Sequence, residues 1–449
     1  MTQAELFVPP FPVPPAAPLN VVAMARAMRR NALTAWSSRA YDETLLEGRF
    51  FGRPRLLLNS PPAIRRVLME NTDNYRRTPA TLRILQPIIG RGLFLSEGEA
   101  WRHQRRTLAP AFAPRTLPLL ARHVATAAAE AVDRLGGAPQ PVDLLAVMQR
   151  LALEIAGRSM FSLEMGRHGV ELRDRLTRYA ARLGRPYPLD LILPIEVPTL
   201  RDLARRRFGR GWMGLIERVI AERLALPADA APRDLLDLLL AARDPETGAG
   251  FAPVELRDQV ATMLVAGHET TAVTLFWSCY LLASAPAAQE RAAAEAAGAG
   301  EAASMESLPW IRAVVSETLR LYPPAYLMVR QAIGRDAIGD RAIAPGTLMM
   351  ISPWVLHRHR RLWPSPNAFD PERFMPGAPA VDRFAYLPFG IGPRVCIGAQ
   401  FALTEATLVL AQLLRRFRLA LADARPVLPQ AVITTQPDHP PPFALIARA

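Results

Sequence analysis

A mainly α-helical fold with small β-sheets, organised as one domain over residues 1–449, is the architecture this sequence predicts, and three observations predict it. Long segments rich in alanine, leucine and arginine repeat their apolar residues at helical spacing, most clearly LLARHVATAAAEAVDRL (119–135) and TEATLVLAQLLRRF (404–417). Strand-like runs are short and gather in two places, RLLLNSP around Leu56 and the stretch 331–352. No repeat with a period of about 20–50 residues emerges, and no glycine-serine linker separates two cores, although AAGAGEAAS (296–304) reads as a flexible connection.

Composition narrows the class. A chain of 449 residues that is 50% hydrophobic can bury a large core. Two cysteines cannot staple so long a chain, which points to a reducing compartment and hence the cytoplasm. The net charge of +13 is carried entirely by arginine, since the sequence contains no lysine. In a chain this rich in alanine and proline such an excess reflects composition more than a nucleic-acid surface, so no nucleic-acid partner is expected.

In chain order, residues 1–20 are proline-rich and lack both a basic leader with an apolar run and about 18 uninterrupted apolar residues. They read as an extended lead-in along the surface. WRHQRR then places Trp101 and Arg105 four apart on a helix, hence on one face, with His103 beside them. LDLILPI (189–195) is an apolar run too short to span a bilayer; it reads as core or pocket roof, and membrane contact is not expected.

From Val260 to Leu282 the chain is too continuously apolar for an exposed helix, yet AGHETT interrupts its centre. Polar groups inside a buried helix are either satisfied or functional. Gly267 weakens the helix, as it would where a ligand lies against the backbone. In SETLRLYPP, Glu317 and Arg320 lie three apart and share a helix face, and Pro323 and Pro324 end that helix at once.

The last station is FGIGPRVCIGAQ (389–400). A cysteine here is open to three readings: a small buried hydrophobe, a reactive thiol or a metal ligand. Gly390, Gly392 and Gly398 free the backbone to turn tightly and let something bulky approach. An amphipathic helix follows, so Cys396 sits at or just before its first turn, where backbone N–H groups and the helix dipole favour a thiolate. One thiolate cannot close a zinc site or an iron–sulfur cluster, but it can be the single axial ligand of a heme.

The pattern FGxGxRxCxG, spelled by Phe389, Gly390, Gly392, Arg394, Cys396 and Gly398, resembles the heme-binding loop of the cytochrome P450 monooxygenases, in the bacterial soluble form. The resemblance implies heme b (iron protoporphyrin IX) as cofactor with O2 as co-substrate. Cys396 becomes the iron ligand, Phe389 packs beside it, and Arg394 pairs with a propionate. Trp101, Arg105 and Arg330 become further propionate donors. Ala266 lies against the heme face, and Glu269 and Thr270 are the acid and alcohol of proton delivery, with His268 structural. Arg373, in FDPERF, joins Glu317 and Arg320 in a buried charge network behind the heme.

The implied reaction inserts one atom of dioxygen into a small, apolar organic substrate by hydroxylation or epoxidation. By resemblance the pocket draws on a 75–95 loop, the 183–203 region, the central helix near Ala266, the turn 325–329 and a 432–435 strand, with Leu85, Ile88, Leu327, Met328 and Ile433 as lining candidates. Only 53 residues follow Cys396, too few for a reductase domain, so electrons come from a separate ferredoxin or flavodoxin with its reductase. Arg102, Arg106 and Arg115, with Arg394, are the candidate docking charges. A peroxide-driven peroxygenase or isomerase of the same fold, or a non-catalytic heme sensor, are the competing readings; the Glu269–Thr270 pair argues against both.

Overall fold

The computed structural model describes residues 6–50, 52–162, 168–227, 233–300, 303–431 and 433–448. Helices dominate, and small sheets of two to five strands accompany them. The chain gathers into two compact units that alternate along the sequence: residues 1–75, 128–149 and 270–449 form one, and 76–127 with 150–269 form the other.

In the first unit a five-stranded sheet runs in the order Leu45–Phe50, Arg53–Leu58, Leu348–Ile351, Met328–Ala332 and the two-residue strand Tyr75–Arg76, where the chain leaves the unit. Leu348–Ile351 is buried at every position, as an interior strand covered on both faces must be. It pairs parallel with the second strand, Leu56 opposite Met349, and antiparallel with the fourth, Arg330 opposite Met349. Leu56, Ile64, Leu68, Met349, Ile351 and Leu387 pack into one apolar cluster, with Ile391 against its edge. The unit also holds the helices Pro309–Leu321 and Ala399–Arg416, and a three-stranded sheet of Val142–Asp143, Pro442–Ala447 and Phe417–Leu421.

The second unit is almost wholly helical. Here the sequence reading needs correction: residues 75–95 are not a loop, because Pro79–Ile89 is a helix. Thr78 caps it, accepting from the Thr81 N–H at 3.3 Å, and Pro79 supplies a preset first turn. The helix Leu200–Leu224 packs against it, and Gly209 permits the approach, since a Cβ there would stand 2.6 Å from the Pro87 carbonyl. Trp212 Nε1 donates to the Ile88 carbonyl at 2.7 Å, so Ile88 is buried in this contact.

Three further expectations shift. The connection read at 296–304 begins as helix, which continues to Ala299; residues 301 and 302 lie outside the described residues. The strand read at 432–435 lies instead at Thr435–Pro437, and Ile433 precedes it; Val432 lies outside the described residues. In the 189–195 run, Leu189 and Ile192 are exposed and Asp190 is the buried residue. The cause is electrostatic: Asp190 accepts two bonds of 2.7 Å from the buried guanidinium of Arg205, which turns the apolar neighbours outward.

Candidate functional site: the cysteine loop and the interrupted helix

The two cysteines take different environments. Cys279 lies wholly buried in the helix Pro253–Ser284, and burial pushes its thiol far above the ordinary range, so it takes the bland reading of a small hydrophobe. Cys396 is exposed, two residues before Gly398, which caps the helix Ala399–Arg416. The loop that carries it is closed by backbone: Gly390 N–H donates to Leu387, and Cys396 N–H donates to the Phe389 carbonyl at 2.9 Å.

Two glycines make that loop possible. Gly390 and Gly392 adopt φ of +70° and +76°, a region that side chains disfavour. Any Cβ at Gly392 would also collide with the Leu68 carbonyl. Arg394 ends the 3-10 turn Gly392–Arg394 and, like Phe389, is half-buried.

Behind the loop stands the buried charge network. Arg320 grips Glu317 through Nε and Nη2 at 2.6 and 2.7 Å, and both side chains are fully buried. The same guanidinium donates to the carbonyls of His357, Pro366 and Ala368 at 2.6–2.8 Å. Glu317 also accepts from the Asp370 N–H at 2.8 Å. Arg373 completes the set at a longer range, its Nε 3.7 Å from Glu317, while its Nη2 donates to Ser365. A carboxylate and a guanidinium without solvent are tolerable only because nearly every donor and acceptor is used.

The helix Pro253–Ser284 is buried along most of its length, yet Ala266 and Gly267 are exposed and Glu269 and Thr270 half-buried. A Cβ built on Gly267 would meet nothing within 4 Å. The second half of the helix is pinned on its other faces. Trp277 stacks on Tyr322 with ring centres 3.9 Å apart and donates to the Thr435 carbonyl at 2.9 Å. Thr271, next to Thr270, is bonded to Glu405 on the cysteine-loop helix, and burial raises that carboxyl to about 8. Glu405 is a residue the sequence reading passed over.

His268 is 4% exposed, and burial, reinforced by Arg173, lowers its ring to about 4. It is therefore neutral, and it stands 3.8 Å from the Glu269 carboxylate.

Trp101 and Arg105 lie one turn apart on the helix Gly98–Leu108, both half-buried. Arg330 is half-buried in its strand, with Nη1 on the Val329 carbonyl at 2.9 Å. Leu85, Leu327 and Met328 are half-buried, and Ile433 is exposed.

The docking charges need correction. Arg106 is committed to Asp244, with two bonds of 3.0 Å to that buried carboxylate, and also faces Glu99 and Glu246. His103 Nδ1 meets the same Asp244 at 2.8 Å, and the two partners hold Asp244 well below the usual carboxylate range. Arg106 is thus a structural cation rather than a free steering charge. Arg102 contacts Glu99 at 3.3 Å, and Arg115 remains exposed.

The residues fit the implied cofactor on two independent observations. Cys396, which would bind the iron, is an exposed residue of the glycine loop, and the helix Pro253–Ser284, taken by itself, is interrupted in its buried length at the small residues Ala266 and Gly267. Among the described residues no cluster of three or more His, Cys, Asp or Glu could hold a metal ion.

Comparison with known proteins agrees. The cytochrome P450 family profile matches residues 9–440. Cyclooctatin synthase of Streptomyces melanosporofaciens is 35% identical, over 89% of this chain and 88% of its own length. Cyclooctat-9-en-7-ol 5-monooxygenase of the same organism is 35% identical over 74% and 73%. A cytokinin hydroxylase of Arabidopsis thaliana is 31% identical over 86% and 78%. The mainly helical fold with small sheets, the exposed cysteine of the glycine loop and these relatives agree: the chain belongs to the cytochrome P450 family, the heme b enzymes that carry out monooxygenation with dioxygen.

Proposed function

We propose that this enzyme inserts one atom of dioxygen into a mid-sized apolar substrate, by hydroxylation or epoxidation, as a single catalytic domain working in the cytoplasm with a separate ferredoxin or flavodoxin and its reductase. The observation that carries the reading is the glycine-turned loop that places Cys396 just before the head of the helix Ala399–Arg416. No single described helix is long and apolar enough to cross a membrane. One relative is named for oxygenation at position 5 of cyclooctat-9-en-7-ol, which favours an alicyclic alkenol among the apolar candidates.

When bound, heme supplies the redox chemistry by which one oxygen atom enters the substrate and two electrons reduce the other to water. The partner supplies the electrons, and the chain supplies the ligand, the route for protons and the pocket. Cys396 ligates through its sulfur, with the helix dipole and nearby N–H groups favouring the thiolate. Arg394, Arg330, Arg105 and Trp101 hold the propionates as charge-assisted and neutral donors. Ala266 and Gly267 leave room for the macrocycle, and Phe389 packs beside the sulfur.

Glu269 and Thr270 hold and pass the two protons that cleavage of dioxygen consumes, a carboxyl and a hydroxyl being able to do so without flooding an apolar pocket. Leu85, Leu327, Met328 and Ile433 are the proposed substrate contacts, and Ile88 shapes the helix that carries Leu85.

Turnover of cyclooctat-9-en-7-ol with a ferredoxin, its reductase and isotopically labelled dioxygen tests the proposal. The expected result is one labelled atom in the product, with Thr270→Ala losing product by at least about tenfold, at or below the usual range for proton-transfer groups. Product labelled only from added peroxide, with Thr270→Ala unchanged, would overturn the dioxygen reading in favour of the peroxygenase.

A further inference from the structure

His357 belongs to no motif that the sequence reading used, yet it stands where the charge network meets the cysteine loop. It is fully buried, with the Trp363 and Tyr386 rings 6.4 and 5.3 Å away. Its Nε2 accepts the Leu387 N–H at 2.8 Å. That assignment leaves Nδ1 to carry the proton and donate to the Arg320 carbonyl at 3.2 Å. Arg320 returns a bond from Nη1 to the His357 carbonyl at 2.8 Å. Beyond Leu387 the loop is held by backbone bonds from Gly390 N–H to the Leu387 carbonyl and from Cys396 N–H to the Phe389 carbonyl.

We propose that His357 is a positioning residue for the cysteine ligand: its neutral ring bridges the Arg320 carbonyl and the Leu387 N–H, so that the order of the buried Glu317–Arg320 pair reaches the loop that presents Cys396. The proposal rests on Cys396 being the thiolate ligand. The bridge requires one donor and one acceptor on a single ring, which only the uncharged imidazole provides. Burial, together with the Arg320 and Arg358 guanidiniums, drops the ring to about 3, so the bridge stays in place across the working pH range. Leu387 itself is anchored in the apolar cluster beneath the sheet, which leaves the His357 bond to set the direction in which the chain departs toward Phe389. Without the ring, a buried N–H and a buried carbonyl lose their partners, a state folded proteins rarely tolerate.

The test uses the full-length, heme-loaded protein and two variants. His357→Gln keeps a donor and an acceptor in one flat group, whereas His357→Phe keeps bulk and removes both. Hydrogen exchange at the Leu387 amide should be strongly protected in the wild type and in His357→Gln, and fast in His357→Phe. The ferrous carbonyl complex should lose its red-shifted Soret band about tenfold faster in His357→Phe, equivalent to about 1.4 kcal/mol, and at the wild-type rate in His357→Gln.

A freely exchanging Leu387 amide in the wild type would overturn the proposal. So would a His357→Gln that decays as fast as His357→Phe, or a His357→Phe that decays like the wild type. Should His357→Phe fail to fold, exchange and decay in His357→Gln against the wild type decide. Should the wild type lack the red-shifted band, the thiolate reading falls, and the positioning role falls with it even if the Leu387 amide is protected.

Discussion

Cys279 and Cys396 are the same side chain in two regions built on opposite plans. Around Cys279 the helix Pro253–Ser284 is closed on every side: Phe276 and Trp277 meet edge to face, Trp277 stacks on Tyr322, and the thiol is held protonated by burial. Around Cys396 the helix has not yet begun, two glycines turn the chain through conformations other residues resist, and the residue is exposed. The difference teaches that reactivity here comes from the backbone and what restrains it. By the positioning role proposed for His357, the restraint is remote: it passes from a buried ion pair through a histidine to a loop.

The strongest way to break the contrast is to cut that restraint at its source. Arg320→Ala strips Glu317 of its bidentate partner while leaving the carboxylate buried, a change that costs about 3–5 kcal/mol in such sites. The expected outcome is loss of recoverable heme-loaded protein and a large fall in Tm, read by the heme-to-protein absorbance ratio and by circular dichroism. Normal loading would show that the cysteine loop orders itself without the network.

A subtler probe lies between the two regions, at Glu405, which links the cysteine-loop helix to Thr271. Its folded value of about 8 lies above the about 4.3 of an unfolded glutamate, so the native chain holds this proton more tightly. That stabilisation is complete below the unfolded value and is lost as pH rises toward 8. Urea midpoints from pH ~5 to ~8 should fall in the wild type and stay flatter in Glu405→Gln. Parallel slopes would mean the carboxyl is not the group responsible.

The smallest effect belongs to Cys279. Removing one buried sulfur in Cys279→Ala should cost about 1 kcal/mol, with loading and spectrum intact. A loss of heme binding in this variant would erase the distinction between the two cysteines.

Much of this was legible in the sequence because it is local. The Cys396 loop announces itself through glycine spacing, the Pro253–Ser284 helix through unbroken apolar character around AGHETT, and the Glu317–Arg320 pair through a three-residue helical offset. What stayed hidden depends on contacts between distant positions. Arg106 looked like a free surface charge because its partner, Asp244, lies 138 residues away. His357 is 30 residues from the amide it accepts, and nothing in its neighbours announces that bond. The 189–195 run misled for a related reason: its apolar residues suggest burial, but the energetic stake is the Asp190–Arg205 pair, and the helix turns to satisfy it. The helix Pro79–Ile89 did carry a local signal, Thr78 followed by Pro79, which the interior Pro87 obscured.

The most direct measurement is the difference spectrum of the dithionite-reduced protein with and without carbon monoxide, recorded for the wild type and Cys396→Ala. The account predicts a strongly red-shifted Soret band in the wild type that is absent from the variant, as thiolate ligation through Cys396 requires. A band characteristic of histidine or neutral-thiol ligation, the same in both proteins, would contradict it.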